Sequence, residues 1–285
     1  GKINDSSMDV YSEEAKTRTD DCPVKCVYNY EDRYRFSRIL SSDTLVFDSH
    51  FESGNLALAN RVDGTAGVNQ EYDLHLHTDL HSAGHNQWFY FSVSNTAPGS
   101  KVKFNIVNLG KPDSLYNRGM RPLMYSQADA AEGDREAGWR RCGQDIKYYC
   151  NHNQAPPVKG GRERGDRRYY TMTFTHLFDK SNDVVFFAMC YPYTYTDLQR
   201  YLYTMQVNDE RNSNFRREVL CKTLAGNDCD VITVTEMNCK SPTKLAKRLG
   251  VVITARVHPG ESNASWIMEG ILDFLTSNCD AAKEL

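Results

Sequence analysis

His258 and Glu261 have the residue types and the spacing of two zinc ligands. Between them lie Pro259 and Gly260, a stiff and a permissive residue that together favour a tight turn. Such a turn can direct an imidazole nitrogen and a carboxylate oxygen at one point, about 2.0–2.2 Å from each atom, as zinc requires. The pattern is short, and it also fits a surface loop with a glutamate that caps a helix. The spacing alone therefore leaves both interpretations open.

The segments on either side of this turn would position the pair. Residues 251–257 are apolar on both faces apart from Thr254 and Arg256, which predicts a strand buried in an α/β sheet. A helix is predicted after the turn, with Ser262 or Asn263 as its N-cap. Its apolar positions have helical spacing: Trp266, Ile267, Ile271, Phe274 and Leu275. A strand, a turn and a helix in this order place ligands at the carboxyl end of the strand, where Arg256 would contact substrate or form a salt bridge.

Two other groups of side chains could bind a metal. One is a set of four histidines, His75, His77, His81 and His85. His75 and His77 share a strand face, but the favoured interpretation is that Leu74 and Leu76 form the buried face and the histidines face solvent. The other group is Cys22 and Cys26, a single C-x3-C pattern without the second pair that a four-ligand zinc site needs.

Composition excludes several classes of protein. The 285 residues include 34 Lys and Arg against 37 Asp and Glu, a net charge of −3, which argues against a general nucleic-acid binder. The hydrophobic fraction of 40% is that of a globular protein. No apolar run reaches the roughly 18 residues that span a bilayer, so we expect no membrane insertion. Nine cysteines without a paired framework indicate reduced thiols in a cytosolic protein.

The pattern along the chain predicts two domains after a poorly ordered lead-in at residues 1–40. Residues 41–191 contain short alternating strands separated by turn signals, which predicts an all-β antiparallel sandwich. Residues 126–168 are predicted to be a long polar surface loop. Residues 192–285 are predicted to begin an α/β domain: a helix at 194–205, a hairpin formed by 219–224 and 231–235, a short basic helix at 242–249, and the strand, turn and helix described above.

Residues 252–266, which read V-I-T-A-R-V-H-P-G-E-S-N-A-S-W, resemble the zinc-motif strand and helix start of the cytosolic carboxypeptidases. These enzymes are the deglutamylase branch of the zinc carboxypeptidases. The resemblance covers most of the chain after about residue 40. It is carried by further segments that begin at Tyr72, Gln87, Phe104, Gly138, Tyr191 and Cys221.

The resemblance implies a β-sandwich N-terminal domain followed by the truncated start of an α/β zinc-carboxypeptidase domain, a mixed sheet with flanking helices. It assigns His258 and Glu261 as two ligands of one Zn²⁺. The third protein ligand, the catalytic glutamate and the arginine that grips the substrate carboxylate are expected beyond Leu285, so no catalytic residue is assigned within the chain. Residues 192–285 are also too few for a closed sheet. We therefore expect a partial sequence or truncated isoform that is inactive alone.

The resemblance further implies a substrate and a location. The expected partners are tubulin or other polyglutamylated acidic protein tails, from which glutamates are removed, in the cytoplasm and in association with microtubules or cilia. The alternative is a non-catalytic module that binds acidic tails, in which the basic segment 159–168 attracts the partner. A zinc amidohydrolase is a third interpretation, disfavoured by the preceding sandwich domain.

Overall fold

The computed structural model describes residues 24–32, 43–62, 67–80, 85–133, 138–154, 168–208 and 214–285. Contacts divide the chain into two units, one that ends at Cys190 and one that begins at Tyr191. This division lies one residue from the expected boundary between 191 and 192. None of the helices in the described ranges is long and apolar enough to cross a membrane.

The described part of the first unit contains eleven strands in two sheets. The strands are β1 (Val24–Asn29), β2 (Val46–Asp48), β3 (Leu56–Val62), β4 (Gln70–Leu76), β5 (Tyr90–Ser94), β6 (Lys101–Leu109), β7 (Leu123–Ser126), β8 (Arg140–Arg141), β9 (Gln144–Gln154), β10 (Arg168–Leu177) and β11 (Val185–Ala188). One sheet has the order β1-β3-β4-β6-β10-β9 and the other β2-β5-β11-β7-β8. The described part of this unit also contains a short helix, α1 (Gln127–Glu132), and two single 3-10 turns (Tyr30–Asp32 and Leu115–Arg118).

The two sheets pack face to face through aromatic side chains, which confirms the predicted sandwich. Phe104 from the six-stranded sheet lies 5.3 Å from Phe187 and 6.1 Å from Phe91, both from the five-stranded sheet, measured between ring centroids. All three side chains are fully buried. Leu74 and Leu76 point to the same core, as the alternation of β4 predicts. Burial of this apolar surface is the main force that holds the sheets together.

One strand pair departs from the antiparallel prediction. β4 and β6 pair in parallel, with Tyr72 opposite Phe104 and Leu74 opposite Ile106. The intervening strand β5 belongs to the other sheet, so the chain crosses over and returns to β4 in the same direction. A parallel pair needs such a crossover, which a direct hairpin cannot supply.

Two segments predicted to be irregular are strands. Residues 24–29, within the expected lead-in, form β1 at the edge of the six-stranded sheet, with Val27 and Tyr28 buried. The predicted loop at 126–168 contains α1, β8 and the eleven-residue β9. β9 is polar because it is an edge strand, and β10 is its only neighbouring strand in the described sheet. The backbone N–H and carbonyl of Tyr148 also bond to the side chain of Asn117. Of the basic segment 159–168, all but Arg168 lies outside the described residues.

The second unit contains four helices and a hairpin in its described part. They are α2 (Tyr195–Val207), β12 (Phe215–Lys222), β13 (Asp228–Val234), α3 (Pro242–Ala246), α4 (Ser262–Leu275) and α5 (Asp280–Glu284). α2 begins with a capping box, in which Thr194 and Asp197 bond to each other's backbone N–H groups. A small core of Leu202, Met205, Phe215 and Leu272 joins α2, the hairpin and α4. The predicted helix at 194–205 and the predicted hairpin are thus confirmed.

The strand predicted at residues 251–257 is not formed. No regular structure is assigned to these residues, and Val252 and Val257 are 89% and 77% exposed. A strand requires hydrogen bonds from a neighbouring strand. In the part of the second unit that is described, the only sheet is the two-stranded hairpin, which does not pair with this segment. Apolar composition alone was therefore insufficient evidence for a buried strand.

Candidate metal site

The turn that carries the candidate zinc ligands has the predicted geometry. The N–H of Glu261 donates to the carbonyl of His258 at 3.0 Å, which closes a four-residue turn with Pro259 and Gly260 in the middle. Proline is favoured at the second position of such a turn because its φ is fixed near the required value. α4 begins immediately afterwards at Ser262. The two candidate ligands therefore lie at the two ends of one tight turn.

Within this turn the candidate ligand atoms face each other. The Nδ1 atom of His258 lies 3.0 Å from Oε2 of Glu261, and the two side chains are 77% and 49% exposed. A hydrogen bond accounts for this distance, and two ligands of one zinc ion, each about 2.0–2.2 Å from the metal, would also lie roughly 3 Å apart. Both side chains are open to solvent, so a metal ion could reach them.

The pair fits zinc by donor type and spacing, but it is not a complete site. Zinc in proteins takes three or four protein ligands. Among the described residues, no group of three or more His, Cys, Asp and Glu side chains could hold a metal ion. As zinc ligands, His258 and Glu261 would form a half-site that needs at least one further ligand.

Arg256 ties the turn to the start of α4. Its Nε donates to the carbonyl of Pro259 at 2.8 Å, and its Nη1 donates to the carbonyl of Tyr193 and to Oγ of Ser265, each at 3.1 Å. Arg256 was expected to contact substrate or to form a salt bridge, and the hydrogen bonds above give it a role in holding the turn. Its φ of +62° lies in the left-handed region, which is uncommon for arginine. The guanidinium hydrogen bonds compensate for that strain.

The predicted N-cap of α4 is wrong. The N-cap residue is Glu261 rather than Ser262 or Asn263. The side chain of Glu261 makes no capping hydrogen bond. Ser262 is fully buried, and its Oγ has no hydrogen-bond partner in the described part of the chain. The tight turn runs directly into the helix, which places Ser262 one position too late to cap. The carboxylate of Glu261 faces His258 instead.

Two tyrosines, one just before α2 and one within it, bond to α4. The hydroxyl of Tyr193 donates to Oε1 of Glu269 at 2.7 Å, and the hydroxyl of Tyr201 donates to Oδ1 of Asp273 at 3.1 Å. Burial raises the pKa of Tyr193 well above its usual value, and the Glu269 carboxylate raises it further. Trp266 packs edge-on against Tyr193 with a centroid distance of 4.9 Å. The helix that follows the candidate site is therefore held by specific polar contacts.

Among the residues that the structure describes, neither of the other two metal candidates has a complete ligand set. His75 and His77 are half-buried in and after β4, and do not lie fully in solvent as predicted. Burial lowers the pKa of His75, and His77 packs edge-on against Tyr30. His81 and Cys22 lie outside the described residues, whereas Cys26 is half-buried in β1.

Solved structures with related folds come from several bacteria. The chain superimposes on a putative carboxypeptidase A from Shewanella denitrificans with a TM-score of 0.55 and 20% identity, which covers 84% of this chain and 51% of that one. For a metallo-carboxypeptidase from Burkholderia cenocepacia the TM-score is 0.52 and the identity 19%, over 85% of this chain and 53% of that one. The fold is therefore that of a metallocarboxypeptidase: a β-sandwich domain followed by the start of a carboxypeptidase domain.

The sequence identifies the family more narrowly. Residues 47–152 match the cytosolic carboxypeptidase N-terminal domain. Human cytosolic carboxypeptidase 2 is 46% identical over 243 residues, and mouse cytosolic carboxypeptidase 1 is 43% identical over 248 residues, in each case over 85% of this chain. The chain thus belongs with the cytosolic carboxypeptidases, as its motifs predict. It spans 25% of the length of the human protein and 20% of the mouse protein.

Proposed function

We propose that this chain supplies the N-terminal domain and the first part of the catalytic domain of a zinc metallocarboxypeptidase that removes glutamates from acidic protein tails. The observation that carries the proposal is the facing pair of His258 Nδ1 and Glu261 Oε2 in a chain of this family. A carboxypeptidase of this kind needs a metal held by imidazole and carboxylate groups with one position left open.

In this proposal His258 and Glu261 hold the zinc ion, and Arg256 holds the turn that carries them. Zinc bound by such ligands lowers the pKa of a water molecule and polarises a carbonyl group. The third ligand, the general base and the arginine for the substrate carboxylate are assigned to segments outside this chain. We therefore propose that the 285-residue chain alone does not hydrolyse peptides.

The proposed substrates are polyglutamylated or otherwise acidic tails, such as those of tubulin, and the proposed location is the cytosol, near microtubules or cilia. Support for the location comes from the relatives, which are cytosolic carboxypeptidases. Support for the substrate comes from the H-P-G-E-S-N form of the motif at residues 258–263. The basic segment 159–168 would attract an acidic tail electrostatically.

Zinc binding by the chain itself tests the half-site. We expect His258→Ala and Glu261→Gln each to weaken zinc binding at least about tenfold, measured by competition with a chromophoric chelator, because each removes one of two ligands. The matched control is His152→Ala, which removes an exposed histidine from β9 and should leave the affinity unchanged. Equal zinc affinity in the wild-type and His258→Ala chains would contradict the assignment.

A chimera tests the activity. The aligned quarter of human cytosolic carboxypeptidase 2 would be replaced by the matching 243 residues of this chain, and glutamate release from a peptide with a polyglutamate tail would be measured. We expect release by the chimera and a loss of at least about a hundredfold in its His258→Ala variant. Binding of the tail by the isolated chain, with no release by the chimera while the parent protein is active, would favour the binding-module alternative.

A further inference from the structure

The hairpin of the second unit brings two cysteines together. β12 and β13 pair in antiparallel fashion, and Cys221 lies directly opposite Cys229. A bulge between Val219 and Cys221 shifts the register by one residue and creates this pairing. Directly opposed residues of an antiparallel pair project to the same face of the sheet, so the two thiols are neighbours.

The pairing of Cys221 with Cys229 brings their backbones into the range that a disulfide spans. Opposed residues in an antiparallel ladder have Cα atoms about 4.5–5.5 Å apart, within the roughly 4.4–6.8 Å that disulfides span. Both cysteines are free thiols, and they interact directly. Burial raises the pKa of the Cys229 thiol, and the charge and hydrogen bond of Cys221 raise it further. A bridge could therefore form without movement of the strands.

The two thiols differ in accessibility in the way that a reactive pair requires. Cys221 is exposed, whereas Cys229 is half-buried. An oxidant would reach Cys221 first, and Cys229 would then be in place to attack the sulfur of Cys221 and displace the thiol bound to it. Cys142 of the first unit provides a contrast, because it is buried and desolvation raises its thiol pKa to about 12.

Polar contacts within the hairpin and to α2 hold the hairpin in the register that pairs the cysteines. Arg217 Nε donates to Oδ1 of Asp230 at 2.8 Å, and Nε2 of Gln199 donates to Oδ2 of the same carboxylate at 2.9 Å. The hydroxyl of Tyr195 accepts from the N–H of Asp228 at 3.1 Å, next to Cys229. These bonds fix β13 on both sides of Cys229, which limits slippage between the strands.

We propose that Cys221 and Cys229 form a reversible redox site that responds to a low-molecular-weight disulfide such as oxidised glutathione. The Cys221 thiolate attacks one sulfur of glutathione disulfide, and one reduced glutathione leaves. The Cys229 thiolate then attacks Cys221 in the mixed disulfide and releases the second glutathione. The two thiols lose two protons and two electrons, and the electrons reduce the glutathione disulfide. In a reducing compartment such a bridge is transient.

Mass spectrometry of the oxidised chain tests the proposal. Trypsin cleaves after Lys222, so a Cys221–Cys229 bridge links the peptide that ends at Lys222 to the peptide that begins at Thr223. After equilibration with excess oxidised glutathione, we expect alkylation of Cys221 and Cys229 to fall together by at least about tenfold, and the linked peptide to disappear with a reductant. A Cys239→Ser background removes the second cysteine of the larger peptide and makes the assignment unique.

Two single substitutions separate an internal bridge from general thiol oxidation. In Cys221→Ser the Cys229 thiol should remain alkylatable, because its partner is absent. Cys150→Ser removes another exposed cysteine and should leave the bridge unchanged. Circular dichroism confirms that each variant is folded. Glutathione attached to Cys221 without the linked peptide, or bridging of either cysteine to a third one, would overturn the proposal.

Discussion

Tyr116 and Tyr148 are both buried in the core of the first unit, but their hydroxyl groups have different environments. The hydroxyl of Tyr148 donates to the carbonyl of Lys111, whereas that of Tyr116 meets no hydrogen-bond partner among the described residues. Burial raises the pKa of both phenols. An unpaired buried hydroxyl costs free energy, whereas a paired one is close to neutral or stabilising.

Removal of the two hydroxyls should therefore have unequal effects. We expect Tyr148→Phe to lower the free energy of unfolding by about 0.5–1.5 kcal/mol, because a hydrogen bond is lost. Tyr116→Phe should leave it unchanged or raise it by up to about 1 kcal/mol, because a desolvated group is removed. Urea denaturation of the two variants measures the difference. An equal loss of stability in both variants would show that the hydroxyl of Tyr116 is paired.

At the level of elements, the start of β9 depends on one glycine. Gly143 lies between β8 and β9 with a φ of +84°, in the left-handed region. A Cβ at this position would lie 3.3 Å from the Cβ of Phe174 and 3.3 Å from Cγ of Pro122. Both the conformation and the close packing thus favour glycine. Arg121 contributes further by hydrogen bonds to the carbonyls of Cys142 and Gly143.

Alanine at this position should weaken the attachment of β9. Gly143→Ala is expected to lower the free energy of unfolding by about 2–4 kcal/mol, since conformational strain and crowding add. Gly119→Ala is the matched control, because Gly119 also has a positive φ but its Cβ would meet open space. We expect a loss of only about 1 kcal/mol for the control. Thermal denaturation of both variants gives the comparison, and equal losses would exclude crowding as a cause.

The sequence was informative where an element is determined locally. The capping pair Thr194 and Asp197 and the turn around Gly226 mark α2 and the hairpin, and both elements are present. β9 was missed because an edge strand does not need an apolar face. The segment 251–257 was wrongly predicted because strand formation depends on a neighbouring strand, which composition does not report. The Cys221–Cys229 pairing depends on a bulge that shifts the register, and it too could not be read from the pattern alone.

For the molecule as a whole, the family and the β-sandwich could be predicted from sequence, and so could the turn between His258 and Glu261. Two features could be seen only in the structure: the contact between the side chains of His258 and Glu261 across that turn, and the hydrogen bonds by which Arg256 holds the turn. The two units differ in how much apolar surface they bury. The first has a large continuous core with many aromatic side chains, whereas the described core of the second contains four buried residues.

This difference predicts different behaviour for the two units as fragments. Residues 1–190 should fold alone and unfold cooperatively, because their core is internal to that unit. Residues 191–285 should show no cooperative transition, since the four-residue core and the few other buried side chains of their described part, such as Tyr193, cannot offset the conformational entropy of some 95 residues. Differential scanning calorimetry of both fragments tests the prediction. A sharp heat-absorption peak for residues 191–285 would contradict it.

The parallel pairing of β4 with β6 has a consequence for how the sandwich assembles. β5 must leave for the opposite sheet before β6 can return beside β4, and β5 itself pairs with β11, more than ninety residues further along the chain. Neither sheet can therefore form by the pairing of successive hairpins before the other sheet has formed. Such long-range connectivity gives a high contact order, which slows folding to about milliseconds to seconds. The two sheets of this domain should accordingly appear together in a single kinetic phase.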